Sequence, residues 1–458
     1  MKAEQKPGPA DQEMRPGQTR PGPRPLPLHL SIAGMTWLGS QSALPLLRNG
    51  WPGWNPAAAA GLKALAAEAA SQSPESLAKA VEEEVRRRWG LLTQGIEAYR
   101  NHPYRRNLTI PAEIWREGTS RLLDYAPQAS AGAPVVLVVP SLINRAYVLD
   151  LTEERSLMRF LAGAGFRPLL LDWDAPGEVE RRFTLTDYIA GRLGRAIDAA
   201  CGLGGGPVAL VGYCMGGLLA LPPALTHPDK VSGLVCLATP WDFHAERPHQ
   251  ARLIGAALPA LEPMLRQVGE LPVDAIQALF AGLDPLLVFR KFVKFAGLDP
   301  ASPPAAQFVA LEDWLNDGVP LAAEVARECL AGWYGGNSPS KGEWRIAGQP
   351  VNPREIQLPT LIVVPHADRI VPPPSALGLV AQMPQATVMR PQSGHIGMVA
   401  GGGAMDQLYK PLAAWLDALH RPARRKRASG TRKSRFTAPR TPSYVRSQTR
   451  SNGKGDRR

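Results

Sequence analysis

Six short apolar runs alternate with longer amphipathic stretches along the middle of the chain. Each is long enough for one strand: PVVLVVP from Pro134, RPLLLDW from Arg167, PVALVG from Pro207, VSGLVCLATP from Val231, PTLIVVP from Pro359 and ATVMRP from Ala386. Uninterrupted apolar runs are typical of strands buried on both faces of a parallel sheet. Strands that alternate with helices imply right-handed crossovers, with helices on both faces. The pattern predicts an α/β fold with a mostly parallel sheet.

The interval between the fourth and fifth runs exceeds one hundred residues, which is far too long for a single crossover. It contains helical patterns such as PLLVFRKFVKF, and we interpret it as an inserted helical cap. The predicted organisation is a first part of the core with N-terminal helices at 51–242, the cap at 243–345 and the second part of the core at 346–420.

Both ends of the chain differ from the middle in composition. Residues 1–50 begin with a segment rich in Pro and Gly, and we predict that they are disordered. Residues 421–458 hold fourteen Lys or Arg and one acid, so the other 420 residues carry a net charge of −1 although the whole chain carries +12. This basic tail is also predicted to be disordered. It is either an electrostatic arm for nucleic acid, an anionic surface or an acidic partner, or a solubilising segment.

Four cysteines are scattered through the chain without paired spacing, which indicates neither a disulfide framework nor a zinc site. A reducing cytoplasm is the compartment that fits this usage. No stretch approaches the ~20 apolar residues of a membrane helix, so no transmembrane segment is predicted. The sequence implies no metal and no organic cofactor.

The third apolar run ends in a turn with a cysteine among glycines, VGYCMGG at residues 211–217. A strand, a sharp turn and the start of a helix are the context of a nucleophile elbow, G-x-S-x-G, here with Cys214 in place of serine. The N-terminus of a helix favours a thiolate at this position. The five residues alone are also compatible with a buried, inert cysteine, because free cysteines are among the most buried residues.

Two further residues follow in the order that an elbow requires, which is nucleophile, acid and histidine. Asp368 follows the fifth run, and His395 lies in a glycine-flanked loop after the sixth. Both come after the carboxyl ends of strands, where open α/β sheets bind ligands. We expect His395 to take the proton of Cys214 and Asp368 to orient the ring. The backbone N–H groups of Met215 and Ile143 are the expected oxyanion donors.

With these residues assembled, the chain resembles the polyhydroxyalkanoate synthases, cysteine acyltransferases of the α/β-hydrolase superfamily. GYCMGG is similar to their G-x-C-x-G box, and PSLINRAYVLDL to their PP-x-IN-x-YY-x-LDL segment. HADRIVPP and SGHIGMVAG resemble their acid and histidine loops. FVALEDWLNDGVPLAAEVARECLAGWYGGN resembles a cap segment of the shorter synthases, which work with a second subunit. The resemblance covers roughly residues 99–419 and implies an α/β-hydrolase fold.

The resemblance also implies a reaction. Cys214 would be acylated by a 3-hydroxyacyl-CoA, with His395 as general base and Asp368 as the acid of the triad. The acyl group would then pass to the hydroxyl of a growing polyester chain. A second synthase subunit or a homodimer is the implied partner, and the implied location is the cytoplasm, at polyester granules.

Three departures from the family accompany the resemblance. Leu218 and Arg369 stand where threonine and histidine are common, and two prolines at 222–223 are expected to shorten or kink the helix after the nucleophile. The alternative enzyme is a thioesterase or polyester depolymerase with the same triad and water as acceptor. A third hypothesis is a non-catalytic granule-associated or nucleic-acid-associated protein whose basic tail carries its function.

Overall fold

An eight-stranded sheet is the centre of the computed structural model, which describes residues 20–48 and 59–420. Its strands in chain order are β1 (Ala112–Glu117), β2 (Ser120–Asp124), β3 (Val135–Val139), β4 (Arg167–Asp172), β5 (Val208–Tyr213), β6 (Val231–Leu237), β7 (Thr360–Val363) and β8 (Thr387–Met389). Their order across the sheet is β1-β2-β4-β3-β5-β6-β7-β8. Neighbours from β4 to β8 are parallel, and β2 is antiparallel to both β1 and β4. The six predicted strands, β3 to β8, are confirmed.

Helices cover both faces of this sheet. The α-helices are α1 (Leu26–Arg48), α2 (Ala59–Ser71), α3 (Pro74–Asn101), α4 (Leu157–Gly163), α5 (Gly194–Gly204), α6 (Met215–Thr226), α7 (Pro248–Ala256), α8 (Leu258–Val268), α9 (Val273–Ala281), α10 (Leu287–Ala296), α11 (Pro303–Asn316), α12 (Ala323–Arg327), α13 (Pro373–Gln382), α14 (Gly397–Ala400) and α15 (Lys410–His420). Segments with π-helical hydrogen bonding are Asp187–Leu193, Glu328–Gly336 and Met405–Tyr409. Within the described ranges, no helix combines the length and the apolar character that crossing a membrane requires.

The central strands are apolar without interruption because both of their faces are buried. In β3, Val135, Leu137 and Val139 pack into one layer of the core, while Val136 and Val138 pack into the other. All five are at most 4% exposed. Successive side chains of a strand point to opposite faces, so a strand between two helical layers needs apolar residues at every position.

The hairpin of β1 and β2 was not predicted, because β1 lacks the apolar run of a central strand. Its residues AEIWRE are mostly exposed, as befits the edge of the sheet. β2 joins it to β4, with Arg121 opposite Asp172 and their side chains ion-paired at 2.9 Å.

Helices α7 to α12 occupy the interval between β6 and β7, where the sequence predicts a helical cap. They are followed by the π-helical segment Glu328–Gly336 and a short pair of strands, Arg345–Ile346 with Gln349–Pro350. The domain limits drawn from the sequence stay predictions. The basic tail lies outside the described residues, as do residues 1–19 and 49–58.

The prediction of disorder for residues 1–50 is wrong for α1. This helix is held by contacts that are distant in sequence: Ala33 and Trp37 are buried in a cluster with residues of α3 and α10. The Trp37 ring packs edge-on against Trp89 and Phe289, with centroids 4.5 and 5.3 Å away. The proline-rich composition around α1 predicted disorder, whereas the apolar residues of α1 pack against residues far along the chain.

Pro222 and Pro223, which were expected to shorten or kink the helix after Cys214, do not end it. Helix α6 runs through both prolines and ends three residues later, at Thr226. Nearly all of α6 is buried, so tertiary packing stabilises a helix with low intrinsic propensity. The Thr226 hydroxyl donates to the carbonyl of Pro222 at 3.0 Å and satisfies an acceptor near the helix end.

Candidate active site

Cys214 lies on the turn between β5 and α6, with backbone angles φ 56° and ψ −124°. This conformation is rare for any residue with a side chain and is a source of local strain. The N–H of Cys214 donates to the carbonyl of Leu237 at 2.8 Å, which ties the turn to β6. A Cβ atom at Gly212 would overlap the carbonyl of Gly216, and one at Gly216 would overlap the carbonyl of Val139. Glycine is therefore required where these backbones meet around the cysteine.

Asp368 and His395 follow β7 and β8 and meet at the same edge of the sheet as Cys214. Nδ1 of His395 lies 2.6 Å from Oδ2 of Asp368, and both residues are buried. Oδ1 of Asp368 accepts the backbone N–H groups of Ile370 and Val371, each at 2.9 Å. The backbone thus holds one carboxylate oxygen, and the other orients the imidazole. This arrangement favours a proton on Nδ1 and leaves Nε2 as the ring nitrogen that can exchange a proton.

The thiol and the imidazole shift each other's protonation. Burial opposes ionisation of Cys214, but the charge and hydrogen bond of His395, together with hydrogen bonds from Ser141 and Met215, hold the pKa of the thiol below its ordinary value. Burial would lower the pKa of His395, but the charges of Cys214 and Asp368 and their hydrogen bonds raise it. A lowered thiol pKa beside a raised imidazole pKa favours a thiolate–imidazolium pair.

Tyr213, the last residue of β5, contacts His395 through its hydroxyl and its ring. Its hydroxyl donates to the backbone carbonyl of His395 at 3.3 Å, and the two rings lie 5.2 Å apart between centroids. The sequence analysis did not identify this contact. The sequence feature that could have indicated it is the position of Tyr213 directly before Cys214, at the end of β5.

Ser141 is a second residue that the sequence analysis missed. It is 7% exposed, and its hydroxyl hydrogen-bonds to the sulfur of Cys214. It lies two residues after β3, in the loop from which Ile143 was chosen as an oxyanion donor. Ile143 itself lines the space on both sides of Cys214, and the Met215 N–H hydrogen-bonds to the sulfur. The oxyanion roles of Met215 and Ile143 stay predictions.

Two cavities meet at Cys214. The first, which we call the neutral cavity, contains two basic and two acidic residues among mainly apolar ones, including Phe243, Ile276, Phe280, Leu330 and Trp333. The second, the basic cavity, lies on the side of His395. Its charged lining residues are Arg24, Arg145, Lys291, Arg369, Asp284 and Glu312. No cluster of three or more His, Cys, Asp or Glu residues suited to a metal ion occurs in residues 20–48 and 59–420.

Comparisons with known proteins agree with this geometry. Residues 134–278 match the family model for the alpha/beta hydrolase fold, and residues 106–161 match the model for the N-terminus of poly-beta-hydroxybutyrate polymerase (PhaC). The chain is 32% identical over 315 residues to the poly(3-hydroxyalkanoate) polymerase subunit PhaC of Synechocystis, covering 66% of this chain and 83% of that protein. The chain belongs to the poly(3-hydroxyalkanoate) polymerase family. The predicted family, an enzyme of the synthase type, and the predicted α/β-hydrolase fold are therefore confirmed.

Other members of the polymerase family are similar over the same extent. The polymerase subunit PhaC of Allochromatium vinosum is 30% identical over 306 residues, which is 65% of this chain and 86% of that one. Among solved structures, the thioesterase domain from the curacin biosynthetic pathway has a TM-score of 0.42 and 18% identity, covering 68% of this chain and all of that one. A likeness this distant carries no argument about the activity of a polymerase-family member.

Proposed function

We propose that this chain synthesises polyhydroxyalkanoate from 3-hydroxyacyl-CoA through an acyl-enzyme on Cys214, with His395 as general base and Asp368 as its orienting acid. Membership of the polymerase family supports the reaction class. The observation that carries the mechanism is a cysteine on a strained elbow, with a thiol pKa that His395 helps to lower, beside a histidine whose Nδ1 lies 2.6 Å from Asp368.

The first half-reaction transfers the acyl group to the enzyme. The Cys214 thiolate attacks the thioester carbonyl, with the Met215 N–H as an oxyanion donor. The carbon–sulfur bond to coenzyme A breaks, and the leaving thiolate takes the proton from His395. The product is a thioester on Cys214 and free coenzyme A. One thioester replaces another, so the acyl group stays activated.

The second half-reaction forms the ester. The hydroxyl of a growing chain gives its proton to Nε2 of His395 and attacks the Cys214 thioester. The new carbon–oxygen bond forms, the carbon–sulfur bond breaks, and Cys214 returns to the thiolate. Thiolate leaves more readily than alkoxide, which is a chemical reason for cysteine rather than serine at the elbow.

The two cavities support a reaction with two partners. The neutral cavity, with its aromatic and aliphatic lining, suits an acyl or polyester chain. The basic cavity suits a substrate that bears phosphates. An acyl group on Cys214 would have space on two sides, so that donor and acceptor need not leave by the same route.

The test is a time course of the purified full chain with 3-hydroxybutyryl-CoA, following free thiol and analysing the product. We expect thiol release and insoluble polyester, both lost in His395→Ala and strongly reduced in Cys214→Ser. Thiol release with only free 3-hydroxybutyrate would make the protein a hydrolase and overturn the proposal. Activity restored by adding the second subunit of a related polymerase would identify the partner that the family resemblance implies.

Its location is part of the same proposal. We infer a cytoplasmic enzyme at the surface of the polyester granule it makes, with the basic tail as the contact to an anionic surface. Co-sedimentation of the full chain with polyester formed in the assay tests this, beside a chain truncated after His420. Equal recovery of both in the soluble fraction would contradict it.

A further inference from the structure

The segment Arg20–His29, which we call the N-terminal segment, borders the basic cavity. Pro23, Arg24 and His29 line this cavity together with Cys214 and His395. The segment precedes the stretches matched by the two family models, which begin at residues 106 and 134. A part of the chain outside those matched regions therefore forms a wall beside the catalytic centre.

Arg20 anchors this segment from inside the protein. Its side chain is 1% exposed, and Nε and Nη2 bond the two carboxylate oxygens of Asp313 at 2.6 and 3.0 Å. The same guanidinium donates to the carbonyls of His102 and Tyr104 at 2.6 and 2.5 Å. Further along, the N–H of Arg24 donates to Oδ1 of Asn316 at 2.9 Å. These bonds fix where the cavity wall runs.

Two arginines of the basic cavity indicate the ligand. Four basic side chains and two acidic ones line this cavity. Arg145 is ion-paired with Asp174, and Lys291 with Glu312, so Arg24 and Arg369 are the candidate ligand contacts. Arg24 is 39% exposed and bonds Asp274 through Nε. Within the described residues its two terminal amino groups have no hydrogen-bond partner, so they can donate to a ligand. Arg369 is 73% exposed and bonds Asp284 at 3.1 Å. Arginine forks match phosphate oxygens in two-pronged hydrogen bonds.

His29 adds a neutral hydrogen-bonding group to the same wall. Its Nδ1 is buried and has no partner within the described residues, while Nε2 lies 3.2 Å from the carbonyl of Arg24. Buried polar atoms are nearly always paired, so an unpaired ring nitrogen beside a cavity points to a ligand group or water as its partner.

We propose that the N-terminal segment binds the coenzyme A part of the substrate, with Arg24 contacting phosphate and His29 a polar group of the pantetheine arm. The inference rests on the proposed function, because it assigns the leaving group of that reaction to the basic cavity. Arg369, which lines both this cavity and the neutral cavity, is the second phosphate contact. Arg369 stands where histidine is common in the family, and the proposal gives this difference a function.

The experiment compares two donors that differ only in the phosphate-bearing part. Arg24→Gln and His29→Ala are assayed with 3-hydroxybutyryl-CoA and with the 3-hydroxybutyryl thioester of N-acetylcysteamine. In Arg24→Gln we expect KM for the CoA thioester to rise about tenfold, equivalent to about 1.4 kcal/mol of binding, with little change in kcat. KM for the short thioester should stay at the wild-type value, and Arg24→Lys should restore part of the loss.

Arg266→Gln is the matched control, because Arg266 is 76% exposed, pairs with Glu262 on α8 and lines neither cavity. An unchanged KM for the CoA thioester in Arg24→Gln, or an equal rise for both thioesters, would overturn the inference.

Calorimetric titration with coenzyme A itself separates this inference from the proposed function. Weaker binding of coenzyme A by Arg24→Gln, in a protein that turns over neither thioester, would support the phosphate site and refute the proposed reaction. Turnover of both thioesters, with equal coenzyme A affinity in wild type and Arg24→Gln, would support the proposed reaction and refute the phosphate site. Inorganic phosphate at the same concentration shows whether the site recognises any phosphate or requires the whole arm.

Discussion

The proposed catalytic centre and the N-terminal segment border one cavity but are held in different ways. Cys214, Asp368 and His395 stand one, five and six residues after the ends of β5, β7 and β8, so the sheet fixes their positions. The N-terminal segment belongs to no strand and depends on the side-chain bonds of Arg20. We therefore expect changes in the catalytic centre to alter chemistry without unfolding the protein. Changes at Arg20 should loosen one element and leave the chemistry in place.

The largest expected effect is at the nucleophile. Cys214→Ala removes the atom that is acylated in the proposed mechanism, and we expect thiol release to fall by about 10⁴-fold or more, with the melting temperature little changed. The assay is steady-state thiol release from 3-hydroxybutyryl-CoA. Cys201→Ala is the control, since this half-buried thiol bonds the carbonyl of Lys230 away from the site. Wild-type turnover by Cys214→Ala would refute the assignment.

The next largest effect is expected at Asp368, the proposed acid of the triad. Asp368→Asn keeps the side-chain shape but loses the charge that stabilises the imidazolium and orients the ring, so we expect kcat to fall by about 10³-fold. The control is Asp406→Asn, because Asp406 is 78% exposed and pairs only with its helical neighbour Lys410 among the bonds described. A fall no larger than in that control would show that His395 needs no orienting carboxylate.

The electrostatic pairing predicts a pH dependence for alkylation by iodoacetamide. The reactive thiolate exists above the pKa of Cys214, which lies below the ordinary thiol value, so alkylation should persist to lower pH than for a free cysteine and fall as pH passes below that pKa. In His395→Ala the positive charge that lowers the thiol pKa is lost, while the burial that raises it remains. Alkylation should therefore begin at a higher pH than in the wild type. Superimposable profiles of the two proteins would contradict the thiolate–imidazolium pair.

The smallest effect is expected at the anchor. Arg20→Ala removes the ion pair with Asp313 and the hydrogen bonds that Arg20 donates to two carbonyls, although Tyr99 and Arg105 still donate to these groups. We expect α1 to lose about 2 kcal/mol of protection in hydrogen exchange. The amides of β3 to β8 should exchange as in the wild type. Arg86→Ala is the control, because its exposed pair with Glu82 within α3 contributes little. Equal loss of protection in the central strands would show that the N-terminal segment and the sheet unfold together.

The same difference explains what could be predicted from the sequence. The three candidate residues could be predicted because each follows a predicted strand within six residues, and most of those strands are apolar runs. The hairpin of β1 and β2 was not legible, because an exposed edge strand such as AEIWRE carries no such run. An apolar run predicts a strand that is buried on both faces, but it gives no indication of an exposed edge strand.

Contacts between distant residues account for the errors. Helix α1 was predicted as disordered because its partners, in α3 and α10, lie more than fifty and more than two hundred and fifty residues away. Helix α6 continues through Pro222 and Pro223 because its burial outweighs their poor propensity. Ser141 escaped notice since a serine after a strand has no distinctive pattern until the sulfur of Cys214 is placed beside it.

The left-handed backbone of Cys214 has a consequence for the evolution of this protein. At φ 56° and ψ −124°, glycine is the one residue that avoids a steric penalty of about 1 kcal/mol or more. Cys214→Gly should therefore be more resistant to denaturant than Cys214→Ala, although neither can be acylated. Selection for stability alone would favour glycine at this position, so the cysteine is explained by the chemistry proposed for it and not by the fold.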